Sequence, residues 1–484
     1  MITGLSRKRS IECLLLVPVA VALVYCTSRF ITAGCVFNGD FPLYLRQALC
    51  VWQGDAEKVL HDMQQMIDMS TYQRYSPVLY PWGSPLLLSV PLKCFGMDYQ
   101  AFKITETVFF IGALAVFYLL FRQREKNGLL PLAAVILLGF NTFYLYFCNY
   151  VSCELFFLFF IAASLWGIHR CYGNGQCRSG ALPLLLGVLL LFTAQIRTEG
   201  YVLFASLMVA QLRSGCRGRR LMLPYLSAAL FFLCWNYCFP SGYLSHFHHL
   251  EYVTLAVIWQ NLQSFFFNPG ILMAFPHFSF CIAFWLFTGV GLACCIRRYP
   301  VEIAYFLPVC LLLIVWPYNE IRYWTHVFPF ALLFFLKGME WAVEYGGACW
   351  GKRAFAVVSG LLCVNMLCNV ATVVKAEAPV YTSLNPDIES EDAREVFGYL
   401  NLHSSPDDVV ACGESRAIYL YTGRLSCNLS GKLDDMQATA DWYVEFLFRQ
   451  TYLQYPHSTF RENRYRFEKV LQNNTFAVYR IVKP

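Results

Sequence analysis

Apolar runs of about 16 to 25 residues recur from residue 11 to about residue 374, the length of helix needed to cross a hydrocarbon core of ~30 Å. Basic residues punctuate them at Arg7-Lys8-Arg9, Arg122 to Lys126, Arg170 to Arg178, Arg213 to Arg220, Arg297-Arg298 and Lys337 to Arg353. Membrane helices keep their Lys and Arg in cytoplasmic loops, so each pair of these clusters encloses an even number of crossings. That parity divides the long apolar segment 181–212, basic on both flanks, into two crossings with Arg197 and Glu199 at the outer turn. The predicted crossings are 11–36, 100–121, 129–147, 151–169, 181–194, 198–212, 221–239, 271–296, 301–316, 322–337 and 354–374. Eleven crossings put the amino terminus in the cytoplasm and everything after residue 375 outside.

Composition agrees with that pattern. The chain is 57% hydrophobic and 17% aromatic but only 14% charged, a charge fraction about half that of soluble proteins. An all-α polytopic membrane unit over 1–376 is expected, placed in a cell inner membrane, with a small extracytoplasmic α/β unit over 377–484. The net charge of +6 matters through the loops that hold it, and no nucleic-acid partner is expected. The first segment is basic and then apolar like a signal peptide, and Thr32-Ala33-Gly34-Cys35 weakly resembles a lipoprotein cleavage site. Its apolar run is too long and carries Arg29, so it reads as an uncleaved anchor. Most of the 21 cysteines lie inside apolar spans, where cysteine behaves as a small hydrophobe. Cys412 and Cys427, in the outer tail, are left as candidates for pairing.

The long outer segment 37–100 opens with Asn38-Gly39-Asp40-Phe41-Pro42-Leu43-Tyr44-Leu45. A carboxylate this close to a membrane surface is costly without a purpose, which makes Asp40 the first candidate. Phe41 to Leu49 and Lys58 to Met69 pattern as amphipathic helices lying along the interface. Pro77, Pro81, Pro85 and Pro91 then argue against an ordinary spanning helix, so irregular backbone lining a cavity is expected there, with Tyr80 and Trp82 in it. Glu154 enters an otherwise apolar helix, either snorkelling to water or facing the same cavity as Asp40. Arg197 either pairs locally with Glu199 or faces that cavity too. His246, His248 and His249 have metal-binding chemistry but lack a third ligand at helical spacing, and the aromatic loop around them is read as a lipid or substrate contact. Trp316 to Trp324 surrounds Arg322, whose guanidinium must reach water, a phosphate or a carboxylate. In the tail, Glu391 to Leu400 patterns as helix, Asp408 to Cys412 as strand, Ile418 to Tyr421 as either, and Thr475 to Ile481 as a closing strand.

Parity thus gathers Asp40, Arg74, Glu154, Arg197 and Arg322 on one side of the bilayer. Carboxylates and guanidiniums over a membrane-embedded cavity suit a substrate with a phosphate head and a lipid tail. Sugar transfer from a polyprenyl phosphate needs little more, namely cations to neutralise the departing phosphate and one carboxylate to take the acceptor proton.

Asn38-Gly39-Asp40 through Leu45, Tyr80-Pro81-Trp82-Gly83-Ser84-Pro85-Leu86-Leu87, Ser152-Cys153-Glu154-Leu155, Arg197-Thr198-Glu199-Gly200 and Arg322-Tyr323 with Pro329 together resemble the glycosyltransferase C superfamily. The resemblance points to the branch of bacterial protein O-mannosyltransferase relatives and the lipid A aminoarabinose transferase, over about residues 10–375. It implies an inverting glycosyltransferase that moves a sugar from a polyprenyl-phosphate donor to an extracytoplasmic acceptor hydroxyl on a protein, lipid A or a surface glycan. It also implies Asp40 as the catalytic carboxylate and Glu154 as a second acid. Arg322, with Arg197 and Arg74, would hold the donor phosphate, and Tyr44, Tyr80, Trp82 and Tyr323 would line the cavity. Phe41 stands where many members carry a second acidic residue, so no metal site is assigned and a divalent ion stays an open alternative. A transporter or flippase of lipid-linked sugars is the rival reading; it would show an inverted repeat with broken helices, and none is evident in the sequence.

Overall fold

The structure, a computed structural model, describes residues 2–37, 39–70, 77–125, 128–173, 180–216, 218–242, 250–345, 348–375, 386–428, 440–447 and 466–482. Arg74 and the three histidines at 246, 248 and 249 lie outside the described residues.

An anchor helix, α1 (Ile2–Phe30), leads into two short helices, α2 (Phe41–Gln53) and α3 (Ala56–Asp68), matching the two amphipathic stretches. Pro42 sits in the first turn of α2, where its missing N–H costs nothing, and Gly54 ends the helix at φ 71°, its N–H returning to the Cys50 carbonyl at 2.8 Å. Irregular backbone is present over residues 77–82, but the expectation fails from Gly83 onward. There α4 (Gly83–Phe95) forms despite its prolines: Pro85 falls in the first turn, where no intrahelical donor is needed, and Pro91 is carried inside the helix near its end.

The predicted crossings are covered by α5 (Tyr99–Arg122), α6 (Leu129–Gly139) with α7 (Thr142–Phe147), α8 (Glu154–Tyr172), α9 (Ala181–Ile196), α10 (Leu203–Ser214) and α11 (Arg219–Cys238). After α12 (Leu255–Leu272) the series continues with α13 (Phe278–Cys295), α14 (Pro300–Val315), α15 (Phe328–Tyr345) and α16 (Ala348–Lys375). The break expected in 181–212 is a short 3-10 turn, Thr198–Val202, between α9 and α10. Helix α12 occupies a stretch read as an aromatic outer loop; its Thr254 hydroxyl caps the Val257 N–H at 3.2 Å, a start signal hidden in the aromatic sequence. Among the described residues, α5, α8, α11, α13 and the Arg353–Val374 part of α16 are long and apolar enough to cross a membrane. Helices α13 and α15 pack backbone to backbone: a Cβ on Gly291 would strike the Phe334 carbonyl and one on Gly338 the Phe287 carbonyl, the close approach that small residues permit between membrane helices.

The tail folds as α17 (Glu391–His403), β1 (Val410–Cys412), α18 (Ser415–Thr422), β2 (Ser426–Cys427), β3 (Trp442–Phe446), β4 (Arg466–Gln472) and β5 (Phe476–Val482). The sheet order is β2-β1-β3-β5-β4, parallel on either side of β1 and antiparallel around β5. Cys412 and Cys427 form no disulfide. Ala411 sits opposite Cys427 across the parallel pair, so Cys412, one residue on, points to the other face of the sheet.

This tail grips the chain just ahead of Asp40. Cys35 and Ile388 are joined through the Ile388 N–H and the Cys35 carbonyl at 2.8 Å, and Phe37 N–H donates to the Pro386 carbonyl at 2.8 Å. The Phe37 ring then packs among Phe397, Phe446 and Phe476, at 5.8, 5.2 and 5.3 Å. The turn before α8 is pinned as well: buried Lys103 donates to Asn149 Oδ1 at 2.8 Å and to the Thr32 carbonyl at 3.0 Å.

Candidate functional site

Asp40 occupies the N-cap position of α2, where an aspartate ordinarily accepts from the helix's own N–H groups. It makes no such cap. Its carboxylate turns outward instead, accepting from Tyr80 Oη at 2.6 Å and from Arg322 Nη1 at 2.6 Å. Gln47, about two turns along α2 from Asp40, fixes the tyrosine: its amide donates to the Tyr80 carbonyl at 2.9 Å and accepts from the Tyr80 N–H at 3.0 Å. Arg416, on α18 of the tail, stands behind Tyr80, with Nη1 at 3.3 Å from Oη, Nη2 donating to the Pro77 carbonyl at 2.7 Å, and the guanidinium 5.4 Å from the ring centre.

These neighbours set the charge of Asp40. Burial alone would push its carboxyl up; the Arg322 charge, the Tyr80 hydroxyl and the Arg416 charge together outweigh burial and hold it down to about 2. Burial, joined by Asp40, pushes the Tyr80 phenol well above its ordinary range, so Tyr80 stays a donor. Glu320 also lies within ion-pair distance of Arg322, Oε2 to Nε at 2.5 Å. Burial lifts the Glu320 carboxyl; Arg322 opposes the shift while Asp40 and Glu154 add to it.

A second ion cluster adjoins the first. Glu154, the first residue of α8 and 2% exposed, takes Arg197 at 3.1 Å, and Arg197 also holds Glu199 at 2.7 Å. Tyr323 joins the two clusters, its ring centre 5.1 Å from the Arg197 guanidinium and 5.5 Å from that of Arg322. On the other side Tyr44 lies 4.5 Å from the Tyr80 ring and donates to Cys153 Sγ at 3.2 Å, next to Glu154. Asp40, Glu154, Arg197, Arg322, Tyr44, Tyr80 and Tyr323 are therefore brought together. Trp82 is buried, stacks on Phe239 at 5.1 Å and donates to the Pro240 carbonyl at 2.8 Å, tying the loop to α11. Beside Glu320 and Tyr323 lies a small open recess, with a cavity volume of about 10 Å³, whose wall includes Asn261, Asn268 and Asn319.

Arg416, Gln47 and Glu320 escape sequence reasoning. Arg416 lies 336 residues from Tyr80 in a segment without catalytic pattern, and Gln47 reads as one polar residue on an amphipathic helix. Glu320 had a signal, standing two residues before Arg322 in an aromatic outer stretch. Among the described residues no three of His, Cys, Asp and Glu gather as metal ligands, and the carboxylates of Asp40 and Glu154 are already engaged by guanidiniums. Among the described residues a divalent ion finds no ready ligand set here.

Comparison with solved structures follows this geometry. The structure of ArnT from Cupriavidus metallidurans in the apo state aligns over 98% of this chain and 100% of its own, with a TM-score of 0.60 at 11% identity. The chain shares its fold with ArnT. A second ArnT structure, bound to undecaprenyl phosphate, aligns over 98% of this chain and 99% of its own, with a TM-score of 0.56 at 10% identity. The alignment to ArnT runs through both the helical part and the tail. No family profile and no curated protein matches the sequence.

Proposed function

We propose that the chain is an integral-membrane inverting glycosyltransferase that moves a sugar from a polyprenyl-phosphate donor to the hydroxyl of an extracytoplasmic acceptor, a protein, lipid A or a surface glycan. The observation that carries this reading is the Asp40–Arg322 ion pair, in a fold shared with an ArnT whose structure holds undecaprenyl phosphate.

The chemistry runs through the pair. Arg322 turns from Asp40 to the donor phosphate, a bidentate partner that guanidinium suits, and neutralises the charge that grows as the bond from the anomeric carbon to the phosphate oxygen breaks. The acceptor oxygen attacks that carbon from the opposite face and its proton passes to the Asp40 carboxylate. One displacement inverts the anomeric centre. While paired, Asp40 is a weak base; losing Arg322 to the phosphate restores its basicity, so donor binding and base activation are one event. Glu154 positions Arg197, and through Tyr323 the second guanidinium stands near the same phosphate. Arg74 is retained as a donor-binding candidate from the sequence.

In this reading the chain crosses a cell inner membrane eleven times, amino terminus inside, with 1–376 forming the transferase unit and 377–484 an extracytoplasmic unit that clamps the Asp40 loop. The test is transfer by the purified chain in nanodiscs, offered radiolabelled polyprenyl-phosphate sugars and a panel of acceptors. Inverted product with one pairing is expected. Movement of a lipid-linked sugar between leaflets of proteoliposomes without transfer to any acceptor would replace the enzyme with a flippase.

A further inference from the structure

A second pocket opens at the far ends of the same helices. Helix α8 carries Glu154 at its first residue and His169 near its last, about 22 Å apart along the helix axis, so the pocket lies at the opposite end of α8 from the Asp40 site. There α10 carries Arg213 in its last turn, α13 runs out into Arg297 and Arg298, and Arg124 follows α5. Together with His169 these side chains surround a pocket of about 400 Å³.

The carboxylates around it are already matched. Glu302, fully buried, meets His169 Nε2 at 2.8 Å and Arg124 at 3.5 Å. Glu125 holds Lys337 at 3.1 Å and Arg298 at 3.5 Å. Among the described residues no carboxylate pairs with Arg213 or Arg297; Arg213 donates to the Arg297 carbonyl at 3.1 Å. Two guanidiniums are thus left to face a concave wall with no opposing charge. Charge bias in membrane proteins accounts for basic residues at helix ends, but it does not require arginines from three separate segments to ring one cavity. Beside the two arginines, Leu212 and Ile296 are 76% and 61% exposed, an apolar flank at the level where acyl chains begin.

We propose that this pocket binds the phosphate headgroup of an anionic membrane lipid, with Arg213 and Arg297 on the phosphate and the acyl chains along Leu212 and Ile296. Guanidinium forks match phosphate oxygens, and basic pockets between membrane helices are known to take such headgroups. The site is independent of sugar transfer.

The purified full chain in detergent is titrated with phosphatidylglycerol, with phosphatidylcholine of the same acyl chains, and with inorganic pyrophosphate, reading Tm. Phosphatidylglycerol is expected to stabilise at about tenfold lower concentration than phosphatidylcholine, with pyrophosphate inert. The preference should vanish in R213Q/R297Q and persist in R219Q/R220Q, which removes two exposed arginines outside the pocket. An unchanged preference in R213Q/R297Q, or equal loss in both variants, overturns the proposal. Stabilisation by pyrophosphate alone overturns the lipid as the ligand. Native mass spectrometry of the parent needs no variant: a retained phosphatidylglycerol is expected, and retention no greater than that of phosphatidylcholine overturns the site.

Discussion

At one end of α8, Asp40, Glu154, Glu199 and Glu320 meet Arg197, Arg322 and Arg416; at the other, Arg124, Arg213, Arg297, Arg298 and Lys337 meet Glu125, Glu302 and Glu340. Among the described residues acids outnumber bases at the first end and bases outnumber acids at the second. An anion arriving at the second end finds guanidiniums to spare. At the first end Arg197 and Arg322 are already held by carboxylates, so a phosphate binds only by exchange, and exchange releases a base. The acid-rich end is thus suited to reaction and the base-rich end to retention.

The largest effect expected in breaking this contrast is on turnover. Asp40→Asn keeps the shape of the acid-rich end and removes the base, so transfer should fall by roughly 10²-fold to 10⁴-fold in a single-turnover assay, with folding intact by size-exclusion chromatography. Next comes stability. Arg197→Ala would leave buried Glu154 and its neighbour Glu199 without their cation, a loss of about 3–5 kcal/mol, seen as a lower Tm in the same detergent.

Arg322→Gln should weaken binding of the polyprenyl-phosphate donor by roughly 10-fold to 100-fold, the worth of a charged hydrogen bond, and it also moves the pH profile. In the parent the Asp40 carboxyl lies at about 2 against an ordinary 3.8. Its pairing therefore contributes stability that is fully present above the ordinary value and is lost as pH falls through about 2. Without Arg322 the burial that pushes the carboxyl up remains and its main opponent is gone, so the acid limb of the transfer rate should move to higher pH. An acid limb left in place would separate Asp40 from Arg322 in function. The smallest effect is at Arg416, which reaches Asp40 through Tyr80: Arg416→Gln should move that limb in the same direction by less, and Arg416→Lys should restore most of it.

Much of the helical frame was legible because lipid imposes length and composition on whatever crosses it, and, among the described residues, five helices over predicted crossings have that length and composition. Parity pointed to a break in 181–212, and a 3-10 turn, Thr198–Val202, interrupts the helix there. The gathering of Asp40, Glu154, Arg197 and Arg322 was legible for a related reason, since charge inside apolar sequence is expensive and tends to be shared. Arg416 was not legible, because its role depends on a tertiary clamp: Phe37 seated among three tail phenylalanines, with α18 laid against α2. Helix α12 was missed because its aromatic residues carry interfacial and helical signals at once. Pro85 and Pro91 misled because position within a helix decides whether proline breaks it.

The most direct measurement is the affinity of the purified Asp40→Asn variant for undecaprenyl phosphate, compared with that of the parent by isothermal titration calorimetry. If the phosphate must take Arg322 from Asp40, removing the aspartate's charge leaves the arginine unopposed, and the variant should bind the lipid phosphate several-fold more tightly while losing transfer. Unchanged or weaker binding would contradict the exchange and, with it, the centre built from these two side chains.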